Sequence, residues 1–155
     1  MKLEAINLKS VRIDGGTQSR VAINADAVED YAEAMTAGAK LPPVVVFFDG
    51  AAHWLADGFH RLHAHRRIGA VNIDADVRAG TQRDAQLYAY GANQAHGLRR
   101  TNDDKRKAVA GMLELVADWS DAKIARHVGV SDKTVAAHRK SIFGNSEDAN
   151  PSVNG

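Results

Sequence analysis

The sequence predicts an α+β protein: a small α/β unit over residues 1–80, followed by an all-helical region over residues 81–143 that contains a helix-turn-helix at 120–142. Three observations predict it. Short apolar runs bounded by Gly, Pro and Asp alternate with helical periodicity up to Gly80. After Gly80 the helical period continues without a strand signal. Between Ser120 and Ile142, core, small, turn and cap residues stand at the spacing of two crossed helices. The chain of 155 residues is long enough to bury a core without staples. Its lack of Cys excludes a disulfide scaffold, a thiolate metal site and a thiol nucleophile.

Ala5-Ile6-Asn7-Leu8 and Val11-Arg12-Ile13 alternate as strands and end at the Asp14-Gly15-Gly16 turn. Asp26 is the expected N-cap of a helix that buries Val28, Tyr31 and Met35 and stops at Gly38. Leu41 to Phe48 reads as a buried strand that turns at Asp49-Gly50 into a second strand, His53 to Ala56. Gly58 breaks that strand, a helix follows from Phe59 to Ile68, and Val71 to Ala75 is the next strand. Thr81 caps a helix through Tyr90, and Thr101 or Asn102 begins a longer one with Val109, Met112, Leu113 and Val116 as its apolar stripe. Residues 144–155, rich in Asn, Ser and Gly, read as a flexible tail.

Acidic and basic side chains are nearly balanced up to residue 80, whereas basic ones are in excess beyond it, so a polyanion belongs with the second half. No apolar run reaches the roughly 18–20 residues that span a bilayer, and Glu4 and Asn7 interrupt any leader peptide. The cytoplasm is the expected address, with no membrane partner.

In the segment from Ser120, Ile124 and Val128 face inward, Ala125 admits a crossing helix, Gly129 permits the turn and Ser131 caps the second helix. Val135 and Ile142 are expected to return to the core, leaving Asp132, Lys133, Ala136 and Ala137 outward. Double-stranded DNA is the partner this arrangement suits, through Arg126, Ser131, Asp132, Lys133, Thr134, Ala137, Arg139 and Lys140, with Arg126, Arg139 and Lys140 against phosphates. Alanine offers a base edge only methyl contact, so backbone contacts and DNA shape are expected to carry much of the recognition. A helical hairpin that merely packs is the alternative.

Asp57-Gly58-Phe59-His60-Arg61-Leu62-His63-Ala64 gathers basic residues directly after a glycine at a strand-to-helix junction, where first-turn N–H groups suit an anion. The same side chains also suit a solvated helix edge. His63 and His65 diverge on a helix with no carboxylate at ligand spacing, so no metal site is expected.

These segments resemble the N-terminal domain of the ParB family of partition proteins, a fold shared with sulfiredoxin, from about Ile6 to Ile142. Thr17-Gln18-Ser19-Arg20 is similar to the first family box, Asp57 to Ala64 to the Gly-Glu-Arg-Arg box, and Asn93-Gln94-Ala95-His96 to the Glu-Asn-x-x-Arg box. The resemblance implies a ParB/sulfiredoxin-like α/β domain carrying a helix-turn-helix. It also implies a CTP or other nucleotide pocket formed by Gln18, Arg20, Gly58, His60, Arg61, His63, Asn93 and His96, with magnesium as an accompanying ion.

Phe59 stands in place of the box-two Glu, His60 and His63 in place of two Arg, Ala92 in place of the box-three Glu and His96 in place of its Arg. Fixed positive charge is lost, which implies weaker triphosphate binding that tightens toward pH 6, and at most slow hydrolysis. Phe59 occupies the sulfiredoxin cysteine position, so that chemistry is excluded. The stretch from His96 to Arg106 is similar to ParB-like regulators of mobile elements and antibiotic gene clusters. The expected function is therefore a ParB-like DNA-binding protein of plasmid or chromosome partition or of transcriptional regulation. A homodimer and a partition ATPase are the partners implied. A ParB-fold nuclease or nucleotide-dependent kinase is the alternative, with Asp57 the carboxylate inside a box.

Overall fold

The computed structural model describes residues 2–18, 23–92 and 100–148. Strands β1 (Leu3–Asn7), β2 (Val11–Arg12), β3 (Val44–Phe48), β4 (His53–Asp57) and β5 (Asn72–Ala79) form one sheet of order β1-β5-β3-β4-β2. The helices among the described residues are α1 (Ala25–Thr36), α2 (Phe59–Arg67), α3 (Gln82–Gly91), α4 (Asn102–Leu115), α5 (Asp121–Val128) and α6 (Asp132–Asp148). No helix among the described residues is long and apolar enough to cross a membrane.

The unbroken apolar run of β3 follows from its central place: β5 pairs with it in parallel and β4 antiparallel, and both of its faces are covered. Alternation then sorts the side chains. Val44 and Val46 join Ile6, Leu55, Ile73 and Ala75 under Phe59 and Leu62 of α2, with α1 packed on α2. Val45 and Phe47 face the other way, with Ala56, against Ala85 and Tyr88 of α3. A register shift between Val45 and Val46 sets Asp57 and Leu55 opposite successive residues, a bulge just before the chain turns into α2.

The helical half has its own core, in which Ala108, Val109, Met112 and Leu113 of α4 meet Ile124, Ala125 and Val128 of α5 and Val135 of α6. The ends of α3 and α4 are closed reciprocally, Thr81 with Asp84 and Thr101 with Asp104.

Several sequence expectations are corrected. Asn24, not Asp26, caps α1 by accepting from the N–H of Ala27, because Asp26 already lies in the first turn. The buried stripe of α1 is Ala27 and Ala32, with Val28, Tyr31 and Met35 only half-buried, since close packing on α2 selects the small residues. The first strand begins at Leu3, and Leu8–Ser10 forms a 3-10 turn. Leu41 to Pro43 precede β3 rather than belonging to it. The last strand runs on to Ala79, because Val77, Arg78 and Ala79 pair with Val46, Phe47 and Phe48 of β3.

Ile142 is 42% exposed and outside the core. The core reaches α6 only at its first turns, so a residue seven positions beyond Val135 shares its face but lies past the edge of that core. α6 also runs through the expected start of the tail to Asp148, since an established helix extends through poor formers at a cost of about 1 kcal/mol or less per residue. The rest of the expected tail, 149–155, lies outside the described residues.

Candidate nucleic-acid interface and phosphate pocket

Ser120 caps α5 by accepting from the N–H of Lys123 at 3.1 Å. Gly129 closes the helix in the left-handed region at φ 88°, donating to the carbonyl of Ala125 at 2.8 Å. That conformation suits glycine, and it turns the chain sharply enough for α6 to cross α5 over Ala125. Ser131 then accepts from the N–H of Thr134 at 3.2 Å, and their hydroxyls meet at 2.9 Å, fixing the first turn of α6.

Val135 is fully buried, while Asp132, Lys133, Ala136, Ala137 and Lys140 are exposed along one stripe of α6. Arg126 of α5 and Ser131 are also exposed, and Thr134 is half-buried.

Arg139 is placed differently from its neighbours. Its Nε donates to Asp121 at 2.8 Å, Nη1 to the carbonyl of Ala117 at 2.9 Å and Nη2 to that of Trp119 at 2.8 Å. The guanidinium therefore ties α6 to α5 and to the turn before it. Beside it Lys123 lies 4.0 Å over the Trp119 ring.

Two close approaches fix this unit on α3, and sequence reading missed both. A Cβ on Gly91 would stand 2.6 Å from Nε2 of His127, whose ring meets the carbonyl of Leu87 at 2.6 Å. A Cβ on Gly111 would overlap the Tyr90 ring. An isolated glycine inside a helical run was the available signal. Arg100 adds a third tie, donating from Nη1 to the carbonyl of Tyr90 at 3.5 Å and from Nη2 to that of Val128.

At the other candidate site, Gly58 precedes α2 at φ 107°, and α2 has no side-chain N-cap hydrogen bond. A Cβ on Gly58 would stand 2.5 Å from Cγ1 of Val44 and 3.2 Å from Cζ of Arg61, so the protein itself fills the space that the missing side chain leaves.

Arg61 is buried, donating from Nη1 to the carbonyls of Pro42 and Pro43 at 2.9 and 2.6 Å and from Nη2 to Asp57 at 3.3 Å. His60 is also buried. Its Nε2 accepts from the N–H of Asn24 at 2.9 Å, so that nitrogen carries no proton. His63 is half-buried, and burial first and Arg66 second hold its imidazole below the ordinary range.

Gln18 follows a residue held on β4 and is itself tied to α4. The hydroxyl of Thr17 donates to the carbonyl of Leu55, and Lys107 of α4 donates to the carbonyl of Gln18 at 2.6 Å. Thr17 is thus held beside β4 and Asn24 beside His60. Arg20, Asn93 and His96 lie outside the described residues. Lys107 is the side chain linking this region to α4. Among the described residues no group of three His, Cys, Asp or Glu side chains is placed to hold a metal ion.

No protein-family model matches the chain. Over 101 residues it is 39% identical to the transcriptional regulator NovG of Streptomyces niveus, covering 65% of this chain and 31% of that protein. Over 112 residues it is 35% identical to a Streptomyces griseus protein named as a possible regulatory protein of the streptomycin biosynthesis operon, covering 72% of this chain. The match again spans 31% of the relative's length, so the chain accounts for under a third of either regulator.

Among solved structures, the C-terminally truncated chromosome-partitioning protein ParB of Caulobacter crescentus complexed to the centromeric parS site is similar at a TM-score of 0.60 and 16% identity, covering 88% of this chain and 70% of that one. The same protein complexed with CTP-gamma-S gives 0.53 at 15% identity, covering 90% and 78%.

Proposed function

The chain has the ParB-like fold, and from that premise we propose that it is the DNA-reading module of a transcriptional regulator, binding duplex DNA through α5, Gly129 and α6. One observation carries this proposal. The inner faces of α5 and α6 are packed on α4, while Arg126 of α5 and Lys133 and Lys140 of α6 stand exposed. The Streptomyces relatives support the regulatory role by their names, and the ParB solved on parS supports duplex DNA as a partner for this fold.

Fluorescence anisotropy on duplex fragments over a salt series tests it. Each phosphate neutralised adds about 0.9 to the magnitude of the log–log salt slope. Lys140→Ala is expected to lower that slope by about 0.9 and to weaken all sequences alike. Salt-independent binding, or no binding to any duplex at low salt, overturns the proposal.

The start of α2 is proposed to take a nucleoside triphosphate, a ligand class supported by the ParB of similar fold solved with CTP-gamma-S. The uncapped first-turn N–H groups fit an anion. The side chains expected to supply charge fit less well, because Arg61 already holds three acceptors and His60 accepts through Nε2. Phosphate contacts would therefore fall chiefly to backbone N–H groups, with Gln18 alongside and weak affinity as the consequence.

A further inference from the structure

We propose that Ala136 and Ala137 read thymine, their methyl groups meeting C5-methyl groups in the major groove. This makes the duplex recognised one with thymine opposite the alanine pair. The inference rests on the DNA-reading role of α6 and goes beyond it by assigning a base.

The outward stripe of α6 is Asp132, Lys133, Ala136, Ala137 and Lys140. The residues step along the helix by one and three, so they form a single face. The long side chains stand at its two ends and the short ones at its centre. The stripe contains no Arg, Asn or Gln, and its guanine- and cytosine-pairing side chains, Lys133, Lys140 and Asp132, stand at its ends, so the centre is left to the two alanines.

Arg139 cannot fill that gap without leaving Asp121, Ala117 and Trp119, which hold its guanidinium on α5 and the turn before it. What the centre offers is two methyl groups on a helix slender enough to lie close to the groove floor. Thymine presents the one apolar group on that floor. The expectation that shape and backbone contacts dominate therefore changes at this one place, where a direct contact is left.

A contact worth one buried methyl corresponds to about fourfold in affinity. The test selects duplexes from a random pool with the full chain. Each thymine of the selected duplex is then replaced by deoxyuridine, which lacks only the methyl group, and binding is measured by anisotropy. Wild type is expected to bind about fourfold more weakly at one or more positions. The thymine-to-uridine ratio at those positions is expected to fall to about one in Ala136→Gly or Ala137→Gly. Because the ratio is taken within each variant, a general loss of helix stability cancels.

Equal binding of every uridine duplex by wild type overturns the inference. So does a ratio that survives undiminished in both glycine variants. Failure to select any duplex is a different result, and it overturns the DNA-reading role itself.

Discussion

Gly58→Ala distinguishes a glycine required by the protein's own packing from one that leaves room for a ligand. The backbone there lies at φ 107°, where a side chain costs about 1–2 kcal/mol. The new Cβ would also stand 2.5 Å from Cγ1 and 3.0 Å from Cβ of Val44, on a strand that is fully buried at that point and cannot yield. Overpacking of that kind costs about 1–3 kcal/mol, giving about 2–5 kcal/mol together. For a chain of this length that lowers the melting temperature by about 5–15 °C.

Thermal denaturation followed by circular dichroism measures it on Gly58→Ala, on Val44→Ala and on the double variant. Val44→Ala removes the methyl group that the new Cβ would strike. The double variant is therefore expected to be less destabilised than the sum of the singles by about 1–3 kcal/mol, with the backbone part remaining. An unchanged melting temperature in Gly58→Ala, or strict additivity, refutes the packing explanation.

Arg139→Ala is expected to lower stability by about 2–3 kcal/mol, because Asp121 and two carbonyls lose a charged donor. It should also weaken DNA binding without changing the salt slope, and a slope lowered by about 0.9 would make Arg139 a phosphate contact instead. For CTP, calorimetry at pH 8 and pH 6 is expected to show little tightening. A His held below its ordinary pKa stays neutral until the pH falls further, and protonating His60 would abolish the bond it accepts from Asn24. A strong gain by pH 6 would contradict both statements.

What the sequence made legible is what neighbours in the chain decide. Thr81, Thr101 and Ser120 cap their helices through residues three positions away, and Gly129 ends α5 through its own backbone, so each was readable in a short window. The face of α6 followed from periodicity, except at Ile142, where the limit of the core is set by α4 and α5 and not by α6.

The side chains of the α2 site were readable as types but not as partners. Arg61 looked like a phosphate ligand until Pro42 and Pro43, eighteen or more positions earlier, were found to hold it. Arg139 and Lys107 are the same case, their partners Asp121 and Gln18 being distant in sequence. A long cation in a basic run carries no local mark of the carbonyl it will reach.

Helix α3 belongs to two cores at once. Ala85 and Tyr88 close one face of the sheet, Leu87 and Tyr90 pack into the helical core, and Gly91 and Gly111 let His127 and Tyr90 come within contact of the backbone. The chain is thus no string of interchangeable cassettes, even though the described strands all lie before Thr81. A gene fusion joined just before Thr81 would strip Val45, Phe47 and Ala56 of their cover. One joined just after Gly91 would leave α4 and α5 without the helix that holds them to the sheet. A recombination event that transplants the DNA-reading helices to another scaffold would have to carry α3 with them and supply a sheet face shaped to receive it. That requirement narrows the set of proteins between which these helices can be exchanged.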